Sequence, residues 1–137
     1  MPREGHVRHL SVRWPTDLST ALVLELLRAT REIRRAERLR MTRGPAEAVS
    51  LQRARGRKER ARTGDGRRLL RRAIVSIDAR YPGGGNCFRR VLVELALDAG
   101  AAGDRLVFGL DIGRTGHVAF EGAEDATFDV VFALGPE

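Results

Sequence analysis

The stretch Tyr81–Asp98, YPGGGNCFRRVLVELALD, constrains the fold more than any other part of the chain. Tyr81-Pro82 followed by Gly83, Gly84 and Gly85 cannot continue a helix and favours a turn. From Phe88 the spacing becomes helical: Phe88, Val91, Leu92 and Leu95 fall at i, i+3, i+4 and i+7, and Gly100 supplies a stop. Asn86 is a favourable N-cap, so Cys87 is expected at the first helical position. Unpaired backbone N–H groups and the helix dipole favour an anion there, and the thiolate is the reactive form of a thiol. Cys87 is the only cysteine in the chain. Taken alone, a single cysteine is more often a small buried hydrophobe than a nucleophile.

The 137 residues suit one domain with a core, divided into a basic helical lead-in over 1–70 and a compact remainder over 71–137. No run of about 18 apolar residues occurs, so no membrane span is expected. The start, MPREGHVRHL, lacks the apolar stretch of a secretory signal. With a single cysteine there is no internal disulfide framework, and a free thiol suits a cytoplasmic location. Three histidines and one cysteine, without a ligand pair at helical or finger spacing, point away from a bound metal, and no cofactor is expected.

Charge is split. Residues 1–72 carry 20 Lys+Arg against 8 Asp+Glu, whereas residues 73–137 carry 5 against 10. Such a basic half suits nucleic acid, an acidic peptide or a membrane surface. Lys58 is the only lysine, however, so the excess is arginine on faces that solvated helices present in any case.

Thr16 or Asp17, after Trp14-Pro15, is expected to cap a first helix whose face runs through Leu18, Leu22, Leu26, Ala29, Ile33 and Ala36. Gly44-Pro45 ends it, and a short helix over about 46–55 follows. Residues 56–66 read as a solvated loop, and a third helix is expected from Arg67 to Arg80. Beyond the Cys87 helix the period drops to two. Leu106–Ile112, His117–Glu121 and Phe128–Leu134 read as three strands, simplest as an antiparallel meander packed on helices, an α+β domain.

Two polar residues stand out in those strands. If the second and third strands pair about a turn near Ala123, His117 and Asp129 share a face as cross-strand neighbours. Asp129 would then accept from one imidazole nitrogen and aim the other at the thiol, the nucleophile–base–orienter arrangement of a cysteine hydrolase. Singly, each has a plainer reading: His117 beside a turn, Asp129 as a strand-edge charge.

Taken together, NCFRRVLVELALDAG, then a strand, then GHVAFEG, then TFDVVF, resembles the core of the transglutaminase-like, papain-related cysteine peptidases. The pattern is most similar to the stand-alone lasso-peptide leader peptidases. The matching positions are Cys87 at a helix start with Arg90 three residues on, Gly100 after the helix, His117, Glu121 and Asp129. The family usually reads His-Ala-Trp where this chain has His117-Val118-Ala119. The resemblance spans about residues 74–134. It implies N-terminal helices and a catalytic helix on a small antiparallel sheet, with Cys87, His117 and Asp129 catalytic and Asn86 a candidate oxyanion donor. It also implies cleavage of a leader from a ribosomally made precursor, delivered by a separate recognition protein, with a cyclase using the released amine. Other readings stay open: a transglutaminase-like acyl transferase, a non-catalytic homologue, or a basic helical nucleic-acid-binding protein.

Overall fold

The computed structural model describes residues 19–124 and 126–136. Among these, the chain order is α1 (Thr20–Thr42), α2 (Pro45–Gly56), α3 (Gly64–Ala79), α4 (Cys87–Leu97), the single turn α5 (Ala99–Ala102), β1 (Leu106–Leu110), β2 (Gly116–Phe120) and β3 (Asp129–Leu134). This is an α+β arrangement of helices on a small antiparallel sheet. Trp14, Thr16, Asp17 and Leu18, expected around the start of the first helix, lie outside the described residues. The Ser19 hydroxyl caps α1 by accepting from the Leu22 N–H at 3.2 Å. Gly44 and Pro45 separate α1 from α2, with Pro45 at the first position of α2, where its missing N–H costs nothing.

Helix α4 is the centre of the molecule. Its periodicity marks one apolar face, yet every residue from Val91 to Leu97 is buried. The reason is tertiary: α1, α2 and α3 pack around it and β2 covers the side they leave. Leu92 and Leu95 are fully buried, and each contributes about 2–3 kcal/mol by leaving water. Helix α2 reaches α4 only because residue 56 is glycine: a Cβ there would stand 1.7 Å from the Leu95 carbonyl oxygen. Arg53, 1% exposed, ties α2 to the rest of the domain by donating to the carbonyls of Ala102 (2.9 Å), Asp104 (2.8 Å) and Leu134 (2.9 Å).

The segment between α2 and α3 is shorter and better anchored than a solvated loop over 56–66, because α3 begins at Gly64 behind a Thr63 cap. Arg62 within it donates its backbone N–H to Asp98 Oδ1 at 3.0 Å, its Nε to the Leu97 carbonyl at 3.1 Å, and pairs with Glu25 at 2.7 Å.

The three strands do not form a meander. The sheet order is β2-β1-β3, with β1 antiparallel to both neighbours. The tight turn after β1 makes the β1–β2 hairpin, with Thr115 N–H donating to Asp111 Oδ1 at 2.9 Å. Phe120 of β2 then lies beneath the guanidinium groups of Arg67 and Arg71 of α3, 5.0 and 5.5 Å from its ring centroid. Helix α4 packs on β2, and β3 adds to the other edge of β1.

Gly56→Ala should force α2 off α4 and destabilise the fold by about 3 kcal/mol. In thermal unfolding this should lower the midpoint by roughly 10 °C. An unchanged midpoint would contradict the close α2–α4 contact.

Candidate active site

The site is built at the start of α4. Gly83 and Gly84 adopt φ of +90° and +89°, a region open to glycine, and let the chain turn sharply out of α3. The turn is held from below by Asp78, which is fully buried near the end of α3. Its carboxylate accepts from the Asn86 N–H (2.9 Å), Arg89 Nε (2.7 Å) and Arg90 Nη1 (2.9 Å). Arg89, itself 2% exposed, also donates to the Gly84 carbonyl (2.7 Å) and Glu37 (3.1 Å), and its guanidinium lies over the Tyr81 ring at 4.2 Å. The hydrogen bond from Arg40 holds the Glu37 carboxyl well below its ordinary range, at about 2, with Arg89 adding to the effect and burial opposing it.

With the turn fixed, Asn86 caps α4, its Oδ1 accepting from the Arg89 N–H at 2.9 Å. That bond orients the amide, so its NH2 donor lies on the opposite branch. Cys87 is therefore the first residue of α4, as its spacing predicts, with a half-buried free thiol.

His117 stands in β2 opposite Gly109 of β1. Its Nε2 lies 2.8 Å from Asp111 Oδ2, and its ring stacks on Phe128 with centroids 5.5 Å apart and planes 18° apart. The imidazole, followed by the backbone N–H groups of Thr115 and Gly113, holds the Asp111 carboxyl below the ordinary carboxylate range. Nε2 is thus engaged, and Nδ1 is the nitrogen left for other chemistry.

Asp129 does not take the place expected for it. A β2–β3 hairpin would set residues 117 and 129 side by side, but β1 runs between those strands and Asp129 pairs with Leu110. Its side chain is exposed, and among the described residues it has no hydrogen-bonded or ionic partner to His117. The carboxylate against the imidazole is Asp111, six residues before it in the chain.

Gly109 makes this possible. The β1–β3 register shifts between Phe108 and Gly109, and a Cβ at 109 would stand 2.0 Å from the Asp129 carbonyl oxygen and 2.4 Å from Phe128 Cδ2. Its absence lets Phe128 slide under His117.

Cys87 and His117 line one cleft of about 450 Å³, together with Asn86, Phe88, Phe108 and Phe132. Among the described residues no thiol–imidazole hydrogen bond is formed, and such bonds commonly tighten only when substrate is bound. Cys87 and Val118 also line a second cleft of about 590 Å³, walled by Arg68, Arg71 and Arg90. No group of three or more His, Cys, Asp or Glu side chains among the described residues is placed to hold a metal ion, and no described helix is long and apolar enough to cross a membrane.

Sequence reasoning missed Asp78, Arg89, Gly109 and Asp111. Two of them leave a signal: Asp78 falls on the apolar face of α3 one turn after Ile74, and Gly109 interrupts an apolar strand.

Glu37 carries a pH-dependent part of this scaffold. Its depressed carboxyl contributes stability that is complete above about pH 4.5 and is lost as the pH falls toward 2. Glu37→Gln should therefore cost about 2 kcal/mol at pH 7 in denaturant titrations. The gap to wild type should close near pH 2; a gap that does not change with pH would contradict the ion-pair role.

Comparison of the chain with family models, with curated proteins and with solved structures finds no match, so the chemistry of the site is read from its own geometry.

Proposed function

We propose that the protein is a cysteine peptidase with a papain- or transglutaminase-like catalytic core, in which Cys87 is the nucleophile and His117 the general base and acid. One observation carries the reading: the thiol at the start of α4 and an imidazole held through Nε2 by Asp111 line the same cleft. A buried structural cysteine needs none of these surroundings.

His117 Nδ1 takes the thiol proton as Sγ attacks the scissile carbonyl carbon. The backbone N–H of Cys87 and the Asn86 side-chain amide are the donors available to the developing oxyanion. The C–N bond then breaks as the imidazolium returns its proton to the leaving amine. Water, deprotonated by the same imidazole, attacks the resulting thioester, the C–S bond breaks, and the thiol is restored. Asp111 fixes the ring orientation and stabilises the imidazolium, the role expected of Asp129 from the sequence. Phe128 supports the ring's other face.

The substrate proposed for this chemistry is the leader–core junction of a ribosomally made precursor peptide. A separate leader-recognition protein and a cyclase would act alongside it. What supports that choice is the resemblance of the Cys87, His117 and flanking motifs to the lasso-peptide leader peptidases. An amine in place of water would turn the same thioester into an acyl-transfer product, which mass spectrometry of the products distinguishes.

Cys87→Ala should abolish cleavage of a precursor peptide, with circular dichroism unchanged. Asp111→Asn should lower kcat/KM by about a hundredfold or more, whereas Asp129→Asn should stay within about threefold of wild type. Full cleavage by Cys87→Ala would sink the peptidase reading. A large loss in Asp129→Asn with none in Asp111→Asn would reverse the assignment of the orienting acid.

A further inference from the structure

The two clefts that meet at Cys87 differ sharply in chemistry. One carries Phe88, Phe108, Leu110, Val131 and Phe132, and the aromatic rings form a continuous surface. Phe108 stacks on Phe132 at 4.5 Å and meets Phe88 edge-on at 5.8 Å. Val131 and Phe132 are 66% and 46% exposed, an apolar surface open to a ligand. The other cleft is walled by Arg68, Arg71 and Arg90. Their carboxylate partners differ in position. Asp78, which pairs with Arg90, is fully buried; Glu94, which pairs with Arg71, also lines the cleft but is only 3% exposed, and Asp65 pairs with Arg68 at the surface. The guanidinium side chains themselves are 73%, 44% and 36% exposed for Arg68, Arg71 and Arg90. Glu124 is the exposed carboxylate among the described residues on that wall. A ligand entering the cleft therefore meets mainly guanidinium donors, suited to carboxylate oxygens.

The position of the imidazole gives the two clefts a direction. The leaving amine must receive its proton from His117, so the substrate segment C-terminal to the cleaved bond lies on the His117 side of Cys87. His117 lines the aromatic cleft and not the arginine-walled one. The acyl segment, N-terminal to the cleaved bond, then runs along the arginines.

Resting on the peptidase reading, we infer that the enzyme selects peptides with an Asp or Glu just before the cleaved bond, held among Arg68, Arg71 and Arg90, and an apolar residue just after it, against Phe108 and Phe132. The cleft thus reads the charge of the leader side and the hydrophobicity of the released side separately.

The test uses two sets of defined compounds with the full chain. Peptidyl acyloxymethyl ketones, which carry residues only on the acyl side, are walked with Asp, Ala or Lys through the three positions before the electrophile, and labelling of Cys87 is timed by mass spectrometry. Internally quenched peptides with Phe, Ala or Asp after the cleaved bond report the other side. Wild type should favour Asp over Lys at the position next to the electrophile by about tenfold or more, and Phe over Asp after the bond by a similar factor. Arg68→Glu, at an exposed position, should shrink or reverse the acyl-side preference while leaving the Phe preference in place. Labelling without an acidic preference, or a preference untouched by Arg68→Glu, overturns this inference and leaves the peptidase reading standing. No labelling of the native protein by any probe, with full alkylation of Cys87 by iodoacetamide once the protein is unfolded, overturns both.

Discussion

Asp78 carries its charge where no solvent reaches it, and the donors that satisfy it come from the turn and helix that present Cys87. A carboxylate so buried is tolerable only with several hydrogen bonds to cationic or backbone donors, and removing one side of such a group typically costs about 3–5 kcal/mol. The constraint therefore runs both ways. The glycine turn can be sharp because Asp78 receives the Asn86 N–H at its end, and α4 can begin inside the protein because Arg89 and Arg90 neutralise Asp78 beneath it. The register of α4, and with it the placement of the thiol, follows from that cluster.

The same logic accounts for the arginine-rich half of the chain. Several of those arginines are counter-ions for carboxylates of this domain: Arg28 and Arg62 for Glu25, Arg55 for Glu32, Arg40 for Glu37, Arg71 for Glu94. Burial holds the Glu94 carboxyl above the ordinary carboxylate range, with Arg71 and Arg67 opposing it only in part. Part of the basic composition is thus internal pairing. What it leaves toward solvent near the thiol is the short arginine wall of one cleft.

Local features of the fold were legible in the sequence and long-range ones were not. The start of α4 at Cys87, its Asn86 cap and the three strands follow from short-range spacing and cap chemistry, which act within a few residues. The order of the strands is a long-range property, and nothing in the alternation of Leu106–Leu110 or Asp129–Leu134 reports which strand the last one joins. The pairing of His117 with Asp129 was a register argument that assumed adjacent strands; with β1 between them, Asp111 at the end of the first hairpin reaches the imidazole instead. Gln52, fully buried and donating to Glu32 at 2.9 Å and the Leu92 carbonyl at 3.0 Å, had no local signal at all. Its role exists only once α1, α2 and α4 have met.

Cys87 and His117 must act as a pair, and the most direct measurement is the rate at which iodoacetamide alkylates native Cys87 at pH 6. A free cysteine, with a pKa of about 8.5, reacts slowly at pH 6. Native Cys87 should react much faster there, because it stands at the start of α4 in the cleft it shares with His117, and His117→Ala should slow the reaction. Slow alkylation of the native protein at pH 6, unchanged by His117→Ala, would contradict the pairing and leave Cys87 a structural residue.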